Sequence, residues 1–187
     1  MSHFIFRNVL PANEEQLMKG SFIVVLQTVR VPPHLLIAVN GKTWSISVSG
    51  QLPAEPLEKL FSYIHRKQIP TVFSELYLPA NISAERFCEL LNEAVSRYPE
   101  VHANETTCLD PIRDVAEEVF GDSVNHARFI FELIPAIQLN GGIGKHYGFY
   151  LDQHLDAEKN LAMPVYTAED VAEATREAAR QYAESRS

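Results

Sequence analysis

The dipeptide Asn40-Gly41 is the strongest local constraint in this chain. A type I′ hairpin turn needs positive φ at both central residues, and Asn-Gly accepts that conformation at least cost. Apolar stretches flank it, His34 to Val39 before and Thr43 to Ser49 after. The turn therefore predicts two tightly paired antiparallel strands, with Val39 opposite Lys42 and His34 opposite Ser47. Ser21 to Thr28 (SFIVVLQT) is rich in β-branched residues and predicts a third strand, separated from the hairpin by the chain-breaking Pro32-Pro33.

Helical periodicity follows. Leu57, Leu60, Phe61 and Ile64 predict a helix over about residues 54–67, after which Pro70 opens a strand to about Leu78. Ser83 reads as an N-cap for a helix whose apolar stripe runs from Phe87 to Tyr98, stopped by Pro99. Asp110-Pro111 reads as an N-cap with proline at the first helical position, and Gly121 as the stop. Residues 127–134 (ARFIFELI) predict a buried strand, Gly141 to Gly144 a loop, and Tyr147 to Leu151 another strand. Glu14 to Leu17 suits a short helical turn. An Ala- and Glu-rich helix is expected at about 168–185, with a modest apolar stripe that would dock on the domain or on a second copy in a homo-oligomer. Interspersed elements around a hairpin predict an α+β fold with a mostly antiparallel sheet flanked by helices. At 187 residues, 46% apolar, residues 1–187 are expected to form a single domain.

Charge narrows the partners. Sixteen basic against 24 acidic residues give a net charge of −8, with no basic run. Duplex binding rests on clustered Lys and Arg, so no nucleic-acid partner is expected. No stretch approaches the roughly 20 apolar residues that span a bilayer, and Met1-Ser2-His3-Phe4 lacks the pattern of an export signal. With only Cys88 and Cys108, both thiols are expected to be reduced in a cytoplasmic protein.

One constellation points to chemistry. The hairpin register would let Ser47 hydrogen-bond a ring nitrogen of His34 and orient it. Cys108 lies at the mouth of the helix beginning near Asp110. Free N–H groups and positive partial charge at a helix N-terminus, with an imidazolium nearby, lower a thiol's pKa and make the thiolate a nucleophile. A cysteine beside a helix end can equally be a small buried hydrophobe, and a histidine after Pro-Pro can simply bond a loop carbonyl. Cys88, next to Phe87 on an apolar helix flank, reads as core, with Cys108 the more accessible thiol.

Gly20-Ser21 leading into an apolar strand, His34 on a strand, the hairpin, and Cys108 before a helix resemble the circularly permuted members of the NlpC/P60 papain-like superfamily, over about residues 18–120. The resemblance implies a permuted papain-like fold and a thiol-dependent hydrolase or acyltransferase acting on amide or ester bonds of a small-molecule or peptide substrate. It implies Cys108 as nucleophile, His34 as general base and Ser47 at the third polar position, with no cofactor. The alternative is a non-catalytic binding or protein-interaction module on the same core.

Three further patterns carry polar or glycine residues of functional type. Gly141-Gly142-Ile143-Gly144-Lys145 lacks the first glycine and the Ser/Thr of a phosphate loop, and reads as a flexible turn. His146, Asp152, His154 and Asp156 are of the residue types that ligate zinc or iron, or are a solvated polar segment. Glu132 and Glu75 each interrupt an apolar run, placing them on an exposed strand face or making them perturbed functional acids.

Overall fold

A computed structural model describes residues 3–186. Its strands are β1 (His3–Phe6), β2 (Leu10–Pro11), β3 (Ser21–Leu26), β4 (His34–Val39), β5 (Lys42–Ser47), β6 (Gly50–Pro56), β7 (Thr71–Leu76), β8 (Ile143–Phe149) and β9 (Leu161–Pro164). Its helices are α1 (Glu14–Leu17), α2 (Leu57–Lys67), α3 (Ala84–Ser96), α4 (Asp110–Phe120), α5 (Ile130–Leu139) and α6 (Ala168–Ser185). Seven strands form one sheet in the order β2-β8-β7-β3-β4-β5-β6, antiparallel except for the β2–β8 pair. The fold is α+β with a mostly antiparallel sheet, as the hairpin and the mixed periodicities require.

The hairpin forms as its turn chemistry demands. Asn40 and Gly41 hold φ of 45° and 78°, and Val39 pairs with Lys42. The β4–β5 ladder runs only from Ile37–Trp44 to Val39–Lys42, so His34 and Ser47 lie beyond the paired segment.

Strand alternation divides the core in two. One face carries Ile23, Val25, Leu35, Ile37, Trp44 and Ile46 against α3, α4 and α5. The other carries Phe22, Val24, Leu36, Ala38 and Phe73 against Leu17 of α1 and the Leu57, Leu60, Phe61, Ile64 stripe of α2. A hydrogen bond of 2.8 Å joins His65 Nδ1 to the Tyr150 hydroxyl and one of 2.5 Å joins its Nε2 to Glu14, tying α2 to α1 and to the loop after β8.

One element departs from the sequence reading. Residues expected to form a strand at 127–134 instead start α5. Ile130, Leu133, Ile134 and Ile137 are buried at helical spacing, and packing of that stripe overrides the strand preference of the β-branched and aromatic run, despite Pro135 inside the helix. Glu132 is thereby exposed, and its carboxylate accepts the Arg128 backbone N–H at 2.7 Å. Glu75, half-buried on β7, accepts the Lys145 backbone N–H at 3.2 Å.

The glycine run is not a loose turn. Gly142 is buried where a methyl group would collide with Phe120 and Ile137, its N–H donates to Ile137, and its carbonyl accepts from Tyr77. Gly144 already lies inside β8, against Glu75 and Tyr77. These glycines allow close approach of packed elements and leave no phosphate cradle.

Candidate functional site

The cavity of interest opens at the end of the sheet where β4 begins and β5 ends. It has a volume of about 190 Å³, and His34, Ser47 and Cys108 all line it. Pro32 and Pro33 lead the chain into β4, whose first residue, His34, lines the cavity. Cys108 ends the connection from α3, held by a tight cap: the Asp110 carboxylate accepts the backbone N–H of Thr107 at 2.6 Å and its hydroxyl at 3.0 Å. Tyr166 and Arg128 come from beside β9 and α5, and one side of α6 completes the wall.

The three residues share a cavity without forming the expected relay. Ser47 Oγ is hydrogen-bonded to Ser49 Oγ at 2.8 Å and donates to the Gly50 carbonyl at 3.4 Å, so it does not orient His34. Alternation along β4 also separates the pair. Leu35 belongs to the face whose core Cys108 packs against, and His34, one residue earlier, has the opposite parity. The group reaching the sulfur is the Leu35 backbone N–H, which favours the thiolate.

Electrostatics here follow from desolvation. Burial pushes the Cys108 thiol up to about 11; the Leu35 N–H opposes this, and the Asp110 charge adds to it. Burial alone lowers His34 to about 4. The expected depression of the thiol is thus reversed. The helix end that should have favoured sulfur's negative charge starts at Asp110 and already carries that carboxylate. Cys88 and Cys108 are both half-buried, and burial raises Cys88 as well. Values in this order leave both the thiol and the imidazole neutral at rest.

Sequence reasoning missed several walls of the site. Tyr166 is only 8% exposed, and its hydroxyl is raised by burial and then by negative charge on Cys108, which places the two groups within electrostatic reach. Arg30 and Arg128 line the cavity from loops 98 positions apart, and no local pattern could have paired them. The α6 wall had a signal, because Val171, Ala174, Thr175 and Ala178 recur at helical spacing. Two further hollows adjoin the cavity through shared lining residues. One of about 510 Å³ shares Arg30 and Ala174, and one of about 370 Å³ shares Thr107, Arg128 and Val171. α6 therefore lies as a strap across a groove, and only Ala172 of its residues is buried.

The other patterns resolve structurally. Among the described residues no group of three or more His, Cys, Asp or Glu side chains could hold a metal ion. His146 sits on β8 with its Nδ1 2.9 Å from the Ser74 hydroxyl and its ring against Phe6. Asp152 and His154 are exposed, and Asp156 accepts backbone N–H groups of Glu158 and Asn160, which lowers its pKa. Among the described residues no helix is long and apolar enough to cross a membrane.

The chain matches no protein-family profile, no curated protein and no solved structure.

Proposed function

We propose that this protein is a thiol-dependent hydrolase or acyltransferase of permuted papain-like type, acting on amide or ester bonds of a small-molecule or peptide substrate in the cytoplasm. The observation that carries the reading is the gathering of Cys108, His34 and Tyr166 around one cavity, with the Leu35 N–H directed at the sulfur. Because thiol and imidazole are both neutral at rest, the proton leaves sulfur as the sulfur attacks. The Cys108 Sγ–acyl bond forms, the S–H proton passes to His34 through a water molecule in the shared cavity, because the two side chains do not touch, and His34 returns it to the departing amine or alcohol. Water, losing a proton to His34, or a second nucleophile then cleaves the thioester and restores the thiol.

A second reading, a non-catalytic binding module, is favoured by the order of the two pKa values and by the hydrogen bonds that hold Ser47 away from His34. The two part on one experiment. Wild type, Cys108→Ala and His34→Ala are incubated with p-nitrophenyl acetate and with acyl-amide substrates, and the intact proteins are weighed by mass spectrometry. The hydrolase reading expects a transient acyl adduct on Cys108 and turnover that falls at least about a hundredfold in each variant, the scale of a lost general base or nucleophile. Equal turnover in all three proteins, with no adduct, leaves the binding module.

A further inference from the structure

The protein carries a net charge of −8, yet the lining of the Cys108 cavity contains two arginines and no Asp or Glu. Arg30 donates to Gln27 Oε1 at 3.2 Å. The Arg128 guanidinium carbon lies 5.9 Å over the Phe129 ring, a stacking that steadies the group without neutralising it. Neither guanidinium forms an ion pair among the described residues, a state they share with Arg7 and Arg66, whereas Arg86, Arg97, Arg113, Arg176 and Arg180 are paired. Carboxylates are at hand in the adjoining hollows: Asp170, Glu173 and Glu177 near Arg30, and Glu105 and Asp110 near Arg128. Three of the five are engaged elsewhere. Asp170 caps Thr167, Glu177 pairs with Arg180, and Asp110 pairs with Arg113 at 2.8 Å. Two exposed guanidiniums without an ion-pair partner thus line, together with a thiol, a cavity of mixed apolar and neutral polar walls.

We propose that Arg30 and Arg128 form an oxyanion-anchoring pair that selects, for the Cys108 site, acyl substrates carrying a carboxylate or phosphate group. Resting on the thiol-hydrolase reading, this names the substrate class for that site. Guanidinium is the side chain best suited to the task, being permanently charged and able to present paired N–H donors to two oxygens. The apolar remainder of the wall, from Leu35, Val48, Val101 and the α6 stripe, would accept the hydrocarbon part of the same molecule.

The test compares two reagents that differ in charge. Cys108 of the full-length protein is alkylated with iodoacetate and, separately, with iodoacetamide at pH 9 and low salt, and site occupancy is followed by peptide mass spectrometry. A cysteine-containing neutral peptide gives the intrinsic ratio of the two rates. The expected result is an iodoacetate-to-iodoacetamide ratio at Cys108 above that of the peptide. It should fall about threefold or more in Arg30→Gln and in Arg128→Gln, and shrink in 0.5 M salt, about the size of a partly exposed charge interaction. Protection of Cys108 from iodoacetamide by succinate or by inorganic phosphate then identifies which oxyanion is favoured. A ratio equal to the peptide's and unchanged in both variants overturns the proposal. So does failure of Cys108 to react with either reagent, since a cavity closed to a two-carbon acid cannot hold such a substrate. The ratio requires no turnover, so it fails or succeeds independently of the acyl-adduct experiment.

Discussion

His34 loses water on folding and gains no hydrogen-bond partner among the described residues, and that asymmetry makes the protein sensitive to acid. Its folded pKa is about 4 against an unfolded value of about 6.5. As pH falls through 6.5 the unfolded chain takes up a proton that the folded chain refuses. Stability is therefore lost between pH 6.5 and 4 and levels off below, where both states are charged. The full loss is about 3 kcal/mol at 1.4 kcal/mol per pKa unit. His146, lowered by burial in the same direction, contributes a parallel slope. Urea midpoints at pH 7 and pH 4.5 for wild type and His34→Gln separate the two. The drop should be smaller in the variant by about 2 kcal/mol or more, and an identical drop would mean that His34 is solvated. What could be read at this scale was residue type: His34, Ser47 and Cys108 were candidates from order and chemistry alone, and they do share a cavity. Their protonation states were not readable, because desolvation is set by neighbours from distant parts of the chain. Which face of β4 each neighbour occupies decided the rest.

At the scale of elements, the sequence was most legible where one local signal dictates geometry. Asn40-Gly41, the Ser83 cap and the Leu57–Ile64 stripe each produced the predicted element. The same periodicity test applied to Ile130, Leu133, Ile134 and Ile137 would have found α5, but the aromatic and β-branched composition masked it. The short strands β1, β2 and β9 had no readable period at two to four residues each. α6 combines a strong local signal with weak tertiary support. Its capping box is complete, with Thr167 Oγ1 accepting from the Asp170 N–H at 3.2 Å and Asp170 Oδ2 accepting from the Thr167 N–H at 2.7 Å. A helix that bridges hollows opens more readily than one seated in a core. Removing the cap with Thr167→Ala should cost α6 about 1 kcal/mol and raise the Cys108 alkylation rate about fivefold. The Cys88 rate and the urea midpoint should scarcely move. Unchanged labelling of Cys108 would show that reagent enters without displacing the strap.

At the scale of the molecule, the sheet order is what no local reading could supply. β8, late in the chain, inserts between β2 and β7, and β9 pairs with β1, so the first and last thirds of the chain close on each other. That closure brings residues from Gln27 to Ala178 to a single cavity. The two ends of the seven-stranded sheet are unlike its middle. At one end β2 contributes two residues, one of them Pro11. At the other, β6 carries Pro53 and Pro56, Ala54 at φ 52°, and a register shift in its pairing with β5. Prolines withhold the N–H donors that an incoming strand would need, and an irregular edge presents no straight template. Backbone chemistry at both borders thus disfavours the addition of a further strand. Replacing Pro53 and Pro56 together with Val would restore two donors to the β6 border. Light scattering of the concentrated variant should then show fibrillar growth that the wild type lacks, whereas a variant that stays clear would mean that the twist of the border alone suffices.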